Sequence, residues 1–86
     1  MKKILFEDNK NVIGRNLKLA RVQAGLTQGQ LAARMQTLGV NLDQQMLSKI
    51  ENNARFVTDY ELGCFCRALD LRPDDLLADF FDKYSE

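Results

Sequence analysis

Four times along this chain a helix start is written in residues that satisfy free backbone amides. Thr27 followed by Gln30, and Thr58 followed by Glu61, each spell a capping box. In such a box the hydroxyl accepts the third helical N–H while the longer side chain reaches back to the cap residue's own N–H. Leu26/Leu31 and Val57/Leu62 flank the two boxes as hydrophobic staples. Asp43 opens another helix with a carboxylate suited to orphan N–H groups and to the positive helix end, stapled by Leu42 and Leu47. Pro73, with Asp74 and Asp75 behind it, opens the last, stapled by Leu71 and Leu76. Arg72, in the cap position there, has no acceptor to offer. Gly25, Gly39 and Asn53 stand where a helix end needs a left-handed residue.

Strand alternation is absent, so the punctuation predicts helices over 11–24, 28–38, 44–52, 59–69 and 73–82. The connections are short, and helices joined this closely must pack on one another. The expected fold is all-α, a compact five-helix bundle, with residues 1–10 as an N-terminal extension and 11–86 as one domain. Apolar residues at i, i+3, i+4 spacing give the expected core. They are Ile13, Leu17 and Ala20, then Leu31, Ala32, Met35 and Leu38, then Leu47 and Ile50. Leu62, Phe65, Cys66 and Leu69 follow, closed by Leu71, Leu76 and Leu77.

Eighty-six residues fit a single domain able to bury a modest core. The longest apolar stretches are a few residues, too short to span a bilayer. The opening Met1–Phe6 run meets Glu7 and Asp8 before it could serve as a secretory core, so a cytoplasmic protein is expected, with no membrane partner. Two cysteines and no histidine supply no metal site. Cys64 and Cys66 are too close along a helix for an unstrained disulfide and read as small apolar residues. With no histidine, Gly-rich phosphate loop or convergent carboxylates, the chain reads as a non-enzyme with no cofactor and no evident small-molecule substrate.

Net charge is zero, but its distribution is uneven. Residues 1–58 carry nine Lys or Arg against four Asp or Glu, and residues 59–86 carry three against eight. A molecule of net +5 at one end and −5 at the other can still offer a basic face to a polyanion, because binding follows the local field.

The third helix holds the functional signal. Once its core positions are removed, Gln44, Gln45, Ser48, Lys49 and Asn52 share one face. A glutamine amide matches the N6/N7 edge of adenine, and lysine suits guanine O6/N7. The first residues of a recognition helix are the ones that reach base edges.

Around this face the sequence resembles the Cro/cI-type, phage-repressor-like helix-turn-helix family. The matching residues are Arg21, Gly25-Leu26-Thr27-Gln28, Leu31-Ala32, Leu47-Ser48-Lys49-Ile50-Glu51-Asn52, Tyr60-Glu61-Leu62, Ala68-Leu69 and Asp75-Leu76-Leu77. They span Ile13 to Leu77. The resemblance implies a lambda-repressor-like domain that binds double-stranded DNA as a transcriptional regulator, a repressor, associated with the nucleoid when bound. It implies base reading by Gln44, Gln45, Ser48 and Lys49, and phosphate binding by Gln28, Asn52, Asn53 and Arg55. It also implies an ion pair between Arg21 and Glu51. One departure is the stretch from Gln36 to Leu42, about five residues longer than the usual turn. An extended second helix is expected there, with Leu38, Val40 and Leu42 packed beneath it.

Two apolar groups remain. Leu19 and Val22 lie off the core face, and Ile4, Leu5 and Phe6 are expected to fold back over them. Phe80, Phe81 and Tyr84 read equally as core packing or as a dimer seam, the latter giving a homodimer on a palindromic site. A protein-binding adaptor or antitoxin on the same fold is the alternative to a DNA reader, since fold alone does not set function.

Overall fold

The caps written in the sequence are made. Thr27 Oγ1 accepts from Gln30 N at 3.1 Å while Gln30 Oε1 accepts from Thr27 N at 2.8 Å. Thr58 and Glu61 repeat the exchange at 3.2 and 2.9 Å, and Asp43 Oδ1 accepts from Met46 N at 2.8 Å. Such caps contribute about 1 kcal/mol each. At Arg72, which has no side-chain acceptor, the backbone carbonyl takes the Asp75 amide at 3.0 Å while Asp75 Oδ2 accepts the Arg72 amide at 2.9 Å.

The structure, a computed structural model, describes residues 6–84. Its helices are α1 (Gly14–Gln23), α2 (Gln28–Thr37), α3 (Gln44–Glu51), α4 (Asp59–Leu69), α5 (Pro73–Leu76) and α6 (Ala78–Tyr84). The first four end the same way. Leu26, Val40, Ala54 and Leu71 each donate a backbone N–H five residues back, to Arg21, Met35, Lys49 and Cys66. The residue before each donor is left-handed: Gly25, Gly39, Asn53 and Asp70. Three of these stops were legible in the sequence, and Asp70 was not.

Leu17, Leu31, Met35, Leu42, Leu47, Ile50, Phe65 and Leu76 are fully buried and form one core drawn from α1 to α5 and the α2–α3 connection. The described residues form an all-helical fold as expected, but beyond one-residue differences at the ends of α1 and α3 three features differ. The first helix begins at Gly14 rather than residue 11, because Asn11 Oδ1 takes the Ile13 and Gly14 amides at 3.1 and 2.9 Å and holds the chain off the helix. The second stops at Thr37 rather than extending. The additional residues do tuck under it as expected, with Val40 and Leu42 buried, Leu38 half-buried, and Gln36 Nε2 donating to Leu42 O at 3.1 Å. The fifth expected helix, 73–82, is two: the chain turns at Leu77. That bend lets Leu76 enter the core while Phe80 meets the N-terminal segment.

Phe6 and Asn9 exchange backbone hydrogen bonds at 3.2 and 2.8 Å across Glu7 and Asp8, both of positive φ. The resulting hook lies against α6, not over α1. The Phe6 ring stands 5.6 Å from Phe80 and 5.5 Å from Tyr84, centroid to centroid, and Leu19 and Val22 are 49% and 57% exposed. The expected cover therefore fails for Phe6, whose ring gains more from two aromatic neighbours than from two aliphatic ones at a helix surface. Ile4 and Leu5 lie outside the described residues. No helix among the described residues is long and apolar enough to cross a membrane.

Candidate nucleic-acid interface

α3 is sharply two-sided. Leu47, Ile50 and Glu51 are buried, while Gln44, Gln45, Lys49 and Asn52 are exposed and Ser48 is half-buried. The exposed set forms one polar face, along which Asn52 Nδ2 reaches Ser48 Oγ at 3.5 Å.

The buried side of α3 is held by charge as well as by packing. Arg21 of α1 donates Nε to Glu51 Oε2 at 2.7 Å and Nη2 to Glu51 Oε1 at 3.1 Å. Arg21 Nη1 also donates to Leu26 O at 2.8 Å. Hydrogen bonding to Glu51 raises the Arg21 pKa further, against the opposing effect of burial. Gln28, first residue of α2, donates Nε2 to the same Glu51 carboxylate at 3.0 Å. One carboxylate on α3 thus gathers donors from both neighbouring helices.

At this same C-terminal end of α3, Asn11 Nδ2 donates to Ile50 O at 2.9 Å and Arg55 O at 3.0 Å. Gly14 lets α1 come this close, since a Cβ there would lie 2.4 Å from Ile50 O. The side chains of Asn53 and Arg55 are already engaged. Asn53 Oδ1 accepts the Lys10 and Asn11 amides at 2.9 and 3.0 Å, and its Nδ2 donates to Asn9 at 2.7 Å. Arg55 forks onto the buried Glu61 at 3.0 and 3.1 Å and donates to Phe56 O at 3.0 Å. Burial pushes the Glu61 carboxyl pKa up, but Arg55 and the Thr58 amide outweigh it and hold the carboxyl below its usual range.

The structure therefore brings Arg21, Gln28 and Glu51 together in one cluster, and sets Asn52, Asn53 and Arg55 in the turn after α3. Phe80, Phe81 and Tyr84 lie apart on α6; Phe80 and Tyr84 pack on Phe6 while Phe81 is 47% exposed. Sequence reasoning missed Asn11, Gly14 and the second role of Glu61. Asn11, a capping residue three positions before a glycine, was a visible signal. The Arg55–Glu61 pair had none beyond opposite charge.

The model of a helix-turn-helix domain matches residues 12–80. Among solved structures, the fold is similar to that of the clp gene regulator ClgR from C. glutamicum, with a TM-score of 0.72 and 22% identity. That match covers 88% of this chain and 92% of the other. No curated protein matches the sequence.

Proposed function

The chain belongs to the helix-turn-helix domain family, and from that we propose that it binds double-stranded DNA sequence-specifically as a transcriptional repressor, with α3 in the major groove. The observation that carries this reading is the exposed polar face of α3, braced on its buried side by Arg21 and Glu51. A helix reads bases only if its side chains arrive at a repeatable angle, which rigid support provides. Gln44 and Gln45 at its N-terminus meet base edges, with Ser48 and Lys49 one turn along.

Gln28, Asn52, Asn53 and Arg55 hold the phosphates on either side. Gln28 does so from the start of α2, where free amides and the helix dipole favour an anion. Arg55 carries more N–H groups than its bonds to Glu61 and Phe56 use, so it serves both partners. Phe81 is the most exposed ring of the terminal aromatic group on α6, and a two-fold dimer through α6 would set two copies of α3 on half-sites about 34–36 Å apart. Occupying a promoter this way represses by exclusion.

Selection of bound duplexes from a random pool at near-physiological salt tests the proposal. An enriched palindrome supports the dimeric regulator. No enrichment from folded protein would refute it in favour of an adaptor or antitoxin on the same fold.

A further inference from the structure

The hook is gripped at both ends by different parts of the fold. At one end Phe6 packs on Phe80 and Tyr84, and Glu7 accepts Lys83 Nζ at 2.6 Å and the Tyr84 hydroxyl. At the other, Asn53 takes the Lys10 and Asn11 amides and donates to Asn9. The four residues Phe6 to Asn9 are closed by their end-to-end backbone pair, with positive φ at Glu7 and Asp8. So short and internally bonded a turn transmits a displacement that slack chain would absorb. Asn53 is also the left-handed residue that ends α3, inside the turn that faces phosphates in the reading above.

Resting on that reading, we infer that Glu7 and Asn9 are positioning residues for DNA binding. The hook is a strut from α6 to the turn closing α3, and its grip on α6 sets affinity without touching a base. Phe80 and Tyr84 are then occupied by the strut, which couples the end of the chain to the recognition helix.

The test uses the full chain with Phe6→Ala, Glu7→Gln and the conservative Phe6→Tyr. Affinity is measured for a selected duplex and a shuffled one, at a temperature where circular dichroism shows each variant fully folded. Phe6→Ala and Glu7→Gln should weaken both duplexes by the same factor, about three- to tenfold, while Phe6→Tyr binds like the parent. The Glu7→Gln result is diagnostic because removing a carboxylate would, by charge alone, tighten binding to a polyanion. Unchanged or tighter binding overturns the strut. Amide exchange gives a reading independent of DNA: Lys10 and Asn11 should exchange faster in both weakened variants, and unchanged protection overturns the strut as well. A parent chain that binds no duplex overturns the DNA reading alone, and amide exchange still decides the strut.

Discussion

Arg21 on α1 and Glu51 on α3 face each other as a two-pronged ion pair with side chains only 10% and 1% exposed. Desolvation offsets much of the attraction in such a pair, so its main effect is to fix the angle between two helices. Gln28 from α2 adds a third anchor on the same carboxylate. Glu51 therefore joins the packing of Leu47 and Ile50 in setting the pose of α3 from its buried side, away from the exposed polar face.

Glu51→Ala should cost about 3–5 kcal/mol, because it strands the Arg21 charge in the interior. The double replacement Arg21→Met with Glu51→Leu should recover most of that loss. Urea unfolding of the single and double variants decides the matter. Equal losses would mean that the pair itself, rather than the stranded charge, carries the stability.

Two glycines inside helices should respond in opposite directions to alanine. At Gly14 the new Cβ meets the Ile50 and Glu51 carbonyls at 2.4 and 3.1 Å. These are backbone atoms with little room to move, so Gly14→Ala should destabilise by roughly 1–3 kcal/mol. At Gly63, inside α4, nothing lies within 4 Å, and alanine should stabilise by about 0.5–1 kcal/mol through its better helix propensity. Thermal unfolding of both variants gives the two signs directly.

Acid stability should depend on Glu61. Its folded pKa lies below the ordinary value of 4.5. The ionised carboxylate therefore contributes stability above the unfolded pKa and loses it as pH falls through the folded one. The stability gap between the parent and Glu61→Gln should be widest near neutral pH and shrink in acid. A gap that is constant across the titration would show that the charge on Glu61 is irrelevant.

Gln44→Ala should relax preference at one base pair, at a cost of about 1–3 kcal/mol. Arg55→Ala should weaken all duplexes alike and also lower the melting temperature, since it leaves Glu61 buried without its partner. Binding arrays of point-mutated operators separate the two patterns. A uniform loss for Gln44→Ala would mean that α3 does not read bases.

If the proposed α6 seam forms a dimer, Phe81→Asp should yield monomer in sedimentation runs at high micromolar concentration while leaving the fold intact, because the ring is already half in solvent. An unchanged dimer would move the seam elsewhere, with the exposed Leu19 and Val22 of α1 next in line.

The set of helices and most of their ends follow from the local residue pattern. A capping box joins residues three apart, and the bond that closes each of α1 to α4 spans five, as from Ala54 N to Lys49 O. Such contacts form within a few residues of chain whatever the rest does, so residue type alone announces them. The two-sided character of α3 was legible for the same reason, since its faces follow from spacing. The Arg21–Glu51 pair came only through family resemblance, because nothing local links residues thirty positions apart. The tertiary structure alone decided that Asn11 and Asn53 tie the N-terminal segment to the end of α3, across 42 residues of chain. It likewise decided that Glu61 serves Arg55 as well as its own helix start, that α1 approaches α3 at Gly14, and that the last helix bends at Leu77 to bring Phe80 to Phe6. In each of these a residue with a plausible local role is claimed by a distant partner. Which partner arrives depends on how the helices stack, and that stacking is the joint result of the whole buried core.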